Sequence, residues 1–126
     1  MPRSKVTFDT VREIGLTLPG VAASSAYSAM ALKVRGKILA CQAINKSAEP
    51  GSLMVRIDID QREALLAEAP DTYYLTDHYR PYSCVLVRLS RISKAALVDL
   101  LRASLRFLAS EIKKAPAPKK RKPTRA

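Results

Sequence analysis

The chain has 126 residues, with 22 lysines and arginines against 11 acids and a formal charge of +11. A chain of this length is expected to form one domain around one core, burying about two-thirds of its unfolded surface. Its longest apolar runs, such as Val85-Leu86-Val87, fall far short of the ~20 residues that cross a bilayer, which excludes a membrane-spanning helix.

The basic opening Met1-Pro2-Arg3-Ser4-Lys5 leads into a pattern broken by Asp9, Arg12 and Glu13 instead of an apolar stretch, so no export signal and a cytoplasmic location are expected. In a reducing compartment Cys41 and Cys84 read as small buried thiols, not a disulfide.

Phe8, Val11, Ile14 and Leu18 recur at steps of three and four behind Thr7, a candidate N-cap, and before Pro19-Gly20. The spacing predicts a helix over 7–18. A small-residue loop through Ser24-Ser25 follows. Residues 31–40 read as a hairpin whose Gly36 supplies the positive φ of a tight turn, with Lys33, Arg35 and Lys37 at its tip. Leu53 to Ile59 alternate apolar and polar side chains, which predicts a half-buried strand with Arg56 and Asp58 on the wet face. Asp60 reads as the N-cap of a short second helix that ends before Pro70. Tyr73-Tyr74-Leu75 and Cys84 to Leu89 are the last two strands, separated by the loop 76–83. Ser93 caps a long final helix with Leu97, Leu101, Leu105, Leu108 and Ile112 on its apolar face. The expected fold is a two-layer α+β domain over 1–114, in the order α-β-β-β-α-β-β-α, with an antiparallel sheet of about five strands and three helices on one face.

Seven of the basic residues lie from Lys113 onward with no acid among them, leaving 15 basic and 11 acidic side chains, or +4, in the body. Residues 115–126, which include Lys119, Lys120, Arg121 and Lys122 among prolines and alanines, cannot bury enough apolar area to offset chain entropy and are expected to be a disordered polycationic tail. Such a tail attracts polyanions, or serves only to solubilise the chain.

The segments Leu18-Pro19-Gly20-Val21, Ala31 to Lys37 and Leu75-Thr76-Asp77-His78-Tyr79-Arg80, leading into Val85-Leu86-Val87-Arg88-Leu89, resemble the MmcQ/YjbR-like family over about residues 7–112. The resemblance implies a secretion-chaperone-like α+β fold and DNA binding through a double-wing arrangement. The chain departs from the family pattern at Pro81-Tyr82-Ser83-Cys84, where members often carry Gly-Tyr-Pro-Trp, and around Tyr27 to Ala31, where a glycine and a proline are missing.

Each candidate site has a functional and a structural reading. Lys33, Arg35 and Lys37 can lie along a phosphate backbone, or simply solvate an exposed turn. Arg56 and Arg88 extend a positive sheet face, or pair with Asp58 or Asp60. The loop carrying His78, Tyr79, Arg80 and Tyr82 interleaves rings and cations as single-strand sites do, or hydrogen-bonds to fix itself on the sheet. His78 is the sole histidine, the two cysteines have no metal-ligand spacing and the four glycines are isolated, so no catalysis, metal or cofactor is expected.

The expectation is a non-enzymatic DNA-binding protein, monomeric or weakly dimeric, whose domain makes a modest contact aided by the tail. The alternative is a chaperone-like module that binds a polypeptide through the sheet or the last helix.

Overall fold

A computed structural model describes residues 6–26 and 29–114, apart from the side chains of residues 25, 26, 29 and 112–114. The tail 115–126, with Lys119, Lys120, Arg121 and Lys122, and the family departure at Tyr27-Ser28 lie outside the described residues.

Helix α1 (Phe8–Leu16) starts where expected: the Thr7 hydroxyl accepts from the Thr10 N–H, and the Thr10 hydroxyl accepts from the Thr7 N–H. Two of the helix's free N-terminal donors are thereby satisfied. The strands are β1 (Val21–Ala26), β2 (Ala29–Val34), β3 (Lys37–Gln42), β4 (Ser52–Arg56), β5 (Tyr73–Tyr74) and β6 (Cys84–Arg88), paired antiparallel in the order β1-β2-β3-β4-β6-β5. The sheet therefore has six strands instead of about five. The added strand is β1, read from sequence as a loop because Val-Ala-Ala-Ser-Ser-Ala has a single β-branched residue, Val21, and no alternation. It is a strand because its backbone completes the ladder with β2, from Val21 opposite Val34 to Ala26 opposite Ala29.

Helix α2 spans Ile59–Glu68 and α3 spans Lys94–Lys114. The N-cap of α2 is Asp58, not Asp60, and its side chain makes no capping bond. Strand β4 accordingly stops at Arg56, and Asp60 sits in the first helical turn, where a carboxylate favours the dipole. At α3 the Ser93 hydroxyl accepts from the Ala96 N–H at 3.1 Å, as the sequence predicts.

All three helices bury the same sheet face: α1 packs on β1 and β2, α3 on β3 and β4, and α2 on β5 and β6. Val11, Leu32, Leu39, Leu53, Val55, Val85, Val87, Leu97 and Leu101 have no exposed surface and form the core between the layers. Leu97, Leu101 and Leu108 of the α3 stripe are buried in this core. One polar group interrupts the stripe: Ser104 is fully buried and donates its hydroxyl to the Leu39 carbonyl at 3.2 Å. Leu39 is the extra residue of a bulge, since Leu32 pairs with Ala40 and Lys33 with Ile38. A bulge leaves a residue out of the ladder, and Ser104 supplies the donor its carbonyl would otherwise lack.

The β2–β3 hairpin closes through Arg35-Gly36, both at positive φ, 52° and 79°. This is the left-handed pair of a type I′ turn, for which Asn-Gly is the preferred sequence and an arginine at the first position is strained. Arg35→Asn is expected to raise stability by about 0.5–1 kcal/mol, read as a higher urea midpoint at constant slope. An unchanged or lower midpoint would show that Arg35 holds a compensating contact.

Candidate functional site

The sheet face opposite the helices carries Cys41, Met54, Arg56 and Cys84, as the registers Cys41–Met54 and Arg56–Cys84 require. Two loops rise over it, 43–51 after β3 and 75–83 before β6. They are tied to each other and to the sheet. The Asn45 N–H donates to the Tyr79 hydroxyl at 3.4 Å, the Ser47 and Thr76 hydroxyls bond at 2.9 Å, and the Glu49 N–H donates to the Tyr74 hydroxyl at 2.7 Å. Between the loops lies a cleft of about 980 Å³, floored by Ile38, Cys41, Met54 and Cys84, and walled by Ile44, Asn45, Lys46, His78, Tyr79 and Tyr82, with Gln42, Arg56 and Ser83 completing the lining. No carboxylate is among these residues.

The sequence-predicted residues divide here into groups that brace the site and groups that face outward. Tyr79 is a brace: its hydroxyl anchors Asn45, its carbonyl accepts from the Cys84 thiol at 3.6 Å, and burial raises its pKa, partly offset by the Asn45 bond. His78 is exposed and sets its ring edge-to-face against Tyr79, centroids 4.8 Å apart at 85°. Tyr82 is 59% exposed at the mouth of the cleft. Arg80 is exposed beside Asp77 at 3.9 Å. Burial pushes the Cys84 thiol up to about 11 and the Cys41 thiol upward as well, so the floor of the cleft is uncharged at neutral pH.

Arg88 is held away from the cleft. Its Nε and Nη2 donate to the two carboxylate oxygens of Glu49 at 2.9 and 2.7 Å, its Nη1 donates to the carbonyls of Pro70 and Asp71, and its guanidinium lies 4.3 Å from the Tyr74 ring centroid. The partner is Glu49, not Asp58 or Asp60, because loop 43–51 folds back across β4 to reach β6. The pairing holds the Glu49 carboxyl below its ordinary range and raises Arg88. Arg88 thus fastens a loop, and its donors are engaged. Arg56 does face the cleft, donating its Nε to the Ser83 carbonyl at 3.0 Å with its guanidinium 5.8 Å from the Phe107 ring centroid.

The hairpin cations do not share one surface. Lys33 pairs with Ile38, a cleft residue, and so lies on the helix-free face, whereas Lys37 pairs with Val34, a core residue, and lies on the other. A two-residue turn reverses the alternation that an uninterrupted strand would have kept. Arg35 and Lys37 are exposed and Lys33 is half-buried.

Two residues of the site have no counterpart in the sequence reading. Lys46 lines the cleft from loop 43–51, in a stretch with no periodicity to flag it. Arg62, in the first half of α2, is 5% exposed and donates its Nη1 to the carbonyls of Arg80, Tyr82 and Cys84 at 3.2, 2.9 and 3.4 Å. It pins the 80–84 segment from behind. Within Asp60-Gln61-Arg62-Glu63 it looks like one more surface charge, and only an arginine at a position facing the sheet hints otherwise.

Within its described residues the chain has three helices on one face of an open antiparallel sheet, a braced cleft on the other, no helix long and apolar enough to cross a membrane, and no cluster of ligands suited to a metal ion. The YjbR family model matches residues 16–107. The chain belongs to the YjbR family, as the sequence resemblance implies. A crystal structure of a Deinococcus radiodurans protein with a DUF419 domain is similar at a TM-score of 0.69 and 21% identity, over 93% of this chain and 88% of that one. No curated protein matches.

Proposed function

We propose that this YjbR-family protein is a non-enzymatic nucleic-acid-binding protein that contacts its polyanion through the helix-free sheet face, with the C-terminal cations adding sequence-independent attraction. The observation that carries the reading is a charge asymmetry. Lys33, Lys46 and Arg56 gather on or beside a cleft lined by no carboxylate, and among the described residues none of them, nor Arg35 or Lys37, lies within ion-pair distance of an acid. Cations without an acidic partner on one face are available to phosphates, and each phosphate neutralised releases counterions.

The reading predicts a measurable division of labour between body and tail. Fluorescence anisotropy on a short DNA, across a salt series, is expected to give a steeper log–log slope for the full chain than for a chain ending at Lys114. Three to five contacts from the folded face correspond to a slope of about −2 to −4.5, and contacts from the five cations of residues 115–126 to about −3.5 to −4.5 more. The Lys33→Gln/Lys46→Gln/Arg56→Gln variant of the shorter chain is expected to lose the remaining binding. If the shorter chain does not bind at 50 mM salt, the folded face is no nucleic-acid site and the reading fails.

A further inference from the structure

The cleft differs chemically from a surface that only follows a duplex backbone. A duplex presents phosphates and needs exposed cations along a ridge or helix. Here the floor is apolar and uncharged, formed by Ile38, Met54 and two protonated thiols. Cations stand at its edge. Four large hydrophobic side chains are exposed among the described residues, and the two most exposed, Tyr82 at 59% and Ile44 at 53%, both line this cleft. They come from the two different loops, so each wall of the cleft presents a large apolar side chain to solvent. Leaving both uncovered forgoes the apolar burial that such side chains usually obtain.

Resting on the nucleic-acid reading above, we infer that the cleft takes an unpaired nucleotide, its base against Tyr82 and Ile44 and its phosphate on Lys46 and Arg56, so that single strands are preferred over duplex. Bases are accessible as flat apolar surfaces only when unpaired, and a ring at the mouth of a cationic cleft gives sequence-tolerant stacking. Tyr82 suits this role because its backbone is fixed while its side chain is free. Its carbonyl is held by Arg62 at 2.9 Å and its N–H donates to the Tyr79 carbonyl at 3.0 Å. The arrangement leaves the ring presented at low conformational cost.

The test uses the full chain at 50 mM salt with a labelled twelve-nucleotide oligothymidylate, a twelve-pair duplex of blunt ends, and thymidine monophosphate. Oligothymidylate is expected to bind at least about tenfold tighter than duplex, and Tyr82→Ala to remove about tenfold of that while changing duplex affinity less than twofold. The chain has no tryptophan and five tyrosines, so the tyrosine emission quenched by oligothymidylate is expected to lose most of its amplitude in Tyr82→Ala. Duplex binding as tight as single-strand binding, with Tyr82→Ala silent on both, would overturn the inference and leave the nucleic-acid reading standing. Absence of binding to either polymer would remove that reading and the inference with it. Thymidine monophosphate binding as tightly as the oligomer, with the same Tyr82 dependence, would make the occupant a free nucleotide and overturn the preference for a strand.

Discussion

Arg62→Met is expected to lower stability by about 3 kcal/mol, with the damage concentrated in the 79–84 segment. The side chain is 5% exposed and its one paired acid, Glu63 at 3.2 Å, is largely in water, so its main partners are the three carbonyls of Arg80, Tyr82 and Cys84. A methionine of similar bulk keeps the packing but leaves those acceptors without a charged donor. Losing hydrogen bonds to a charged group costs about 1.5–3 kcal/mol each where no water replaces them, and partial hydration of this loop lowers the total. Arg62→Lys is expected to recover less than half, since an ammonium on a flexible stem cannot reproduce the planar fork. Urea denaturation gives the magnitude. Hydrogen exchange gives the location, with the amides of Tyr79, Arg80, Tyr82 and Cys84 losing protection before the strands do. A loss below about 1 kcal/mol, or protection lost evenly over the chain, would mean that Arg62 does not pin the cleft wall.

The second large effect is at the contact between α1 and the sheet. Leu32 is fully buried, and a Cβ added at Gly15 would collide with its side chain. Leu32→Ala is expected to cost about 3 kcal/mol through lost transfer energy and the cavity it opens. Gly15→Ala gains up to about 1 kcal/mol of helix propensity but overpacks the interface, for a net cost of about 1–2 kcal/mol. The two losses are not expected to add, because the methyl placed at residue 15 enters the space Leu32 vacates. A double-mutant cycle should show at least about 1 kcal/mol of favourable coupling. Strict additivity in the two urea midpoints would rule out this contact as the reason for a glycine inside α1.

The cations sort by whether an acid and several backbone carbonyls already hold them. Arg62 and Arg88 each donate to several backbone carbonyls, and Arg88 also clamps Glu49, so both stabilise the loops that bound the cleft. Lys33, Lys46 and Arg56 make no ion pair among the described residues and stand on or beside the cleft. Substitutions in the first group are expected to report as stability, and in the second as affinity and salt dependence. Composition does not distinguish them, because an arginine's partners are set by what the chain brings beside it.

The amino-acid sequence alone determined the three helices, the capping by Thr7 and Ser93, the turn at Gly36 and the family resemblance, because each rests on interactions within a few residues. Periodic apolar side chains fix a helix face, a hydroxyl three residues before a free N–H fixes a helix start, and only glycine takes φ near +79° without strain. Tertiary structure decided the rest. Strand β1 exists because β2 offers it a ladder. Lys37 faces away from Lys33 because the turn reverses the alternation. Arg88 meets Glu49, 39 residues away in sequence, and Arg62 reaches the carbonyls of 80–84 across the β5–β6 connection. The cleft is made by two loops with no local pattern, and its walls meet only because the sheet places β3 and β6 on either side of β4. Contacts between segments distant in sequence depend on the register and packing of the whole sheet, and nothing local to Lys46, Arg62 or Tyr82 encodes them.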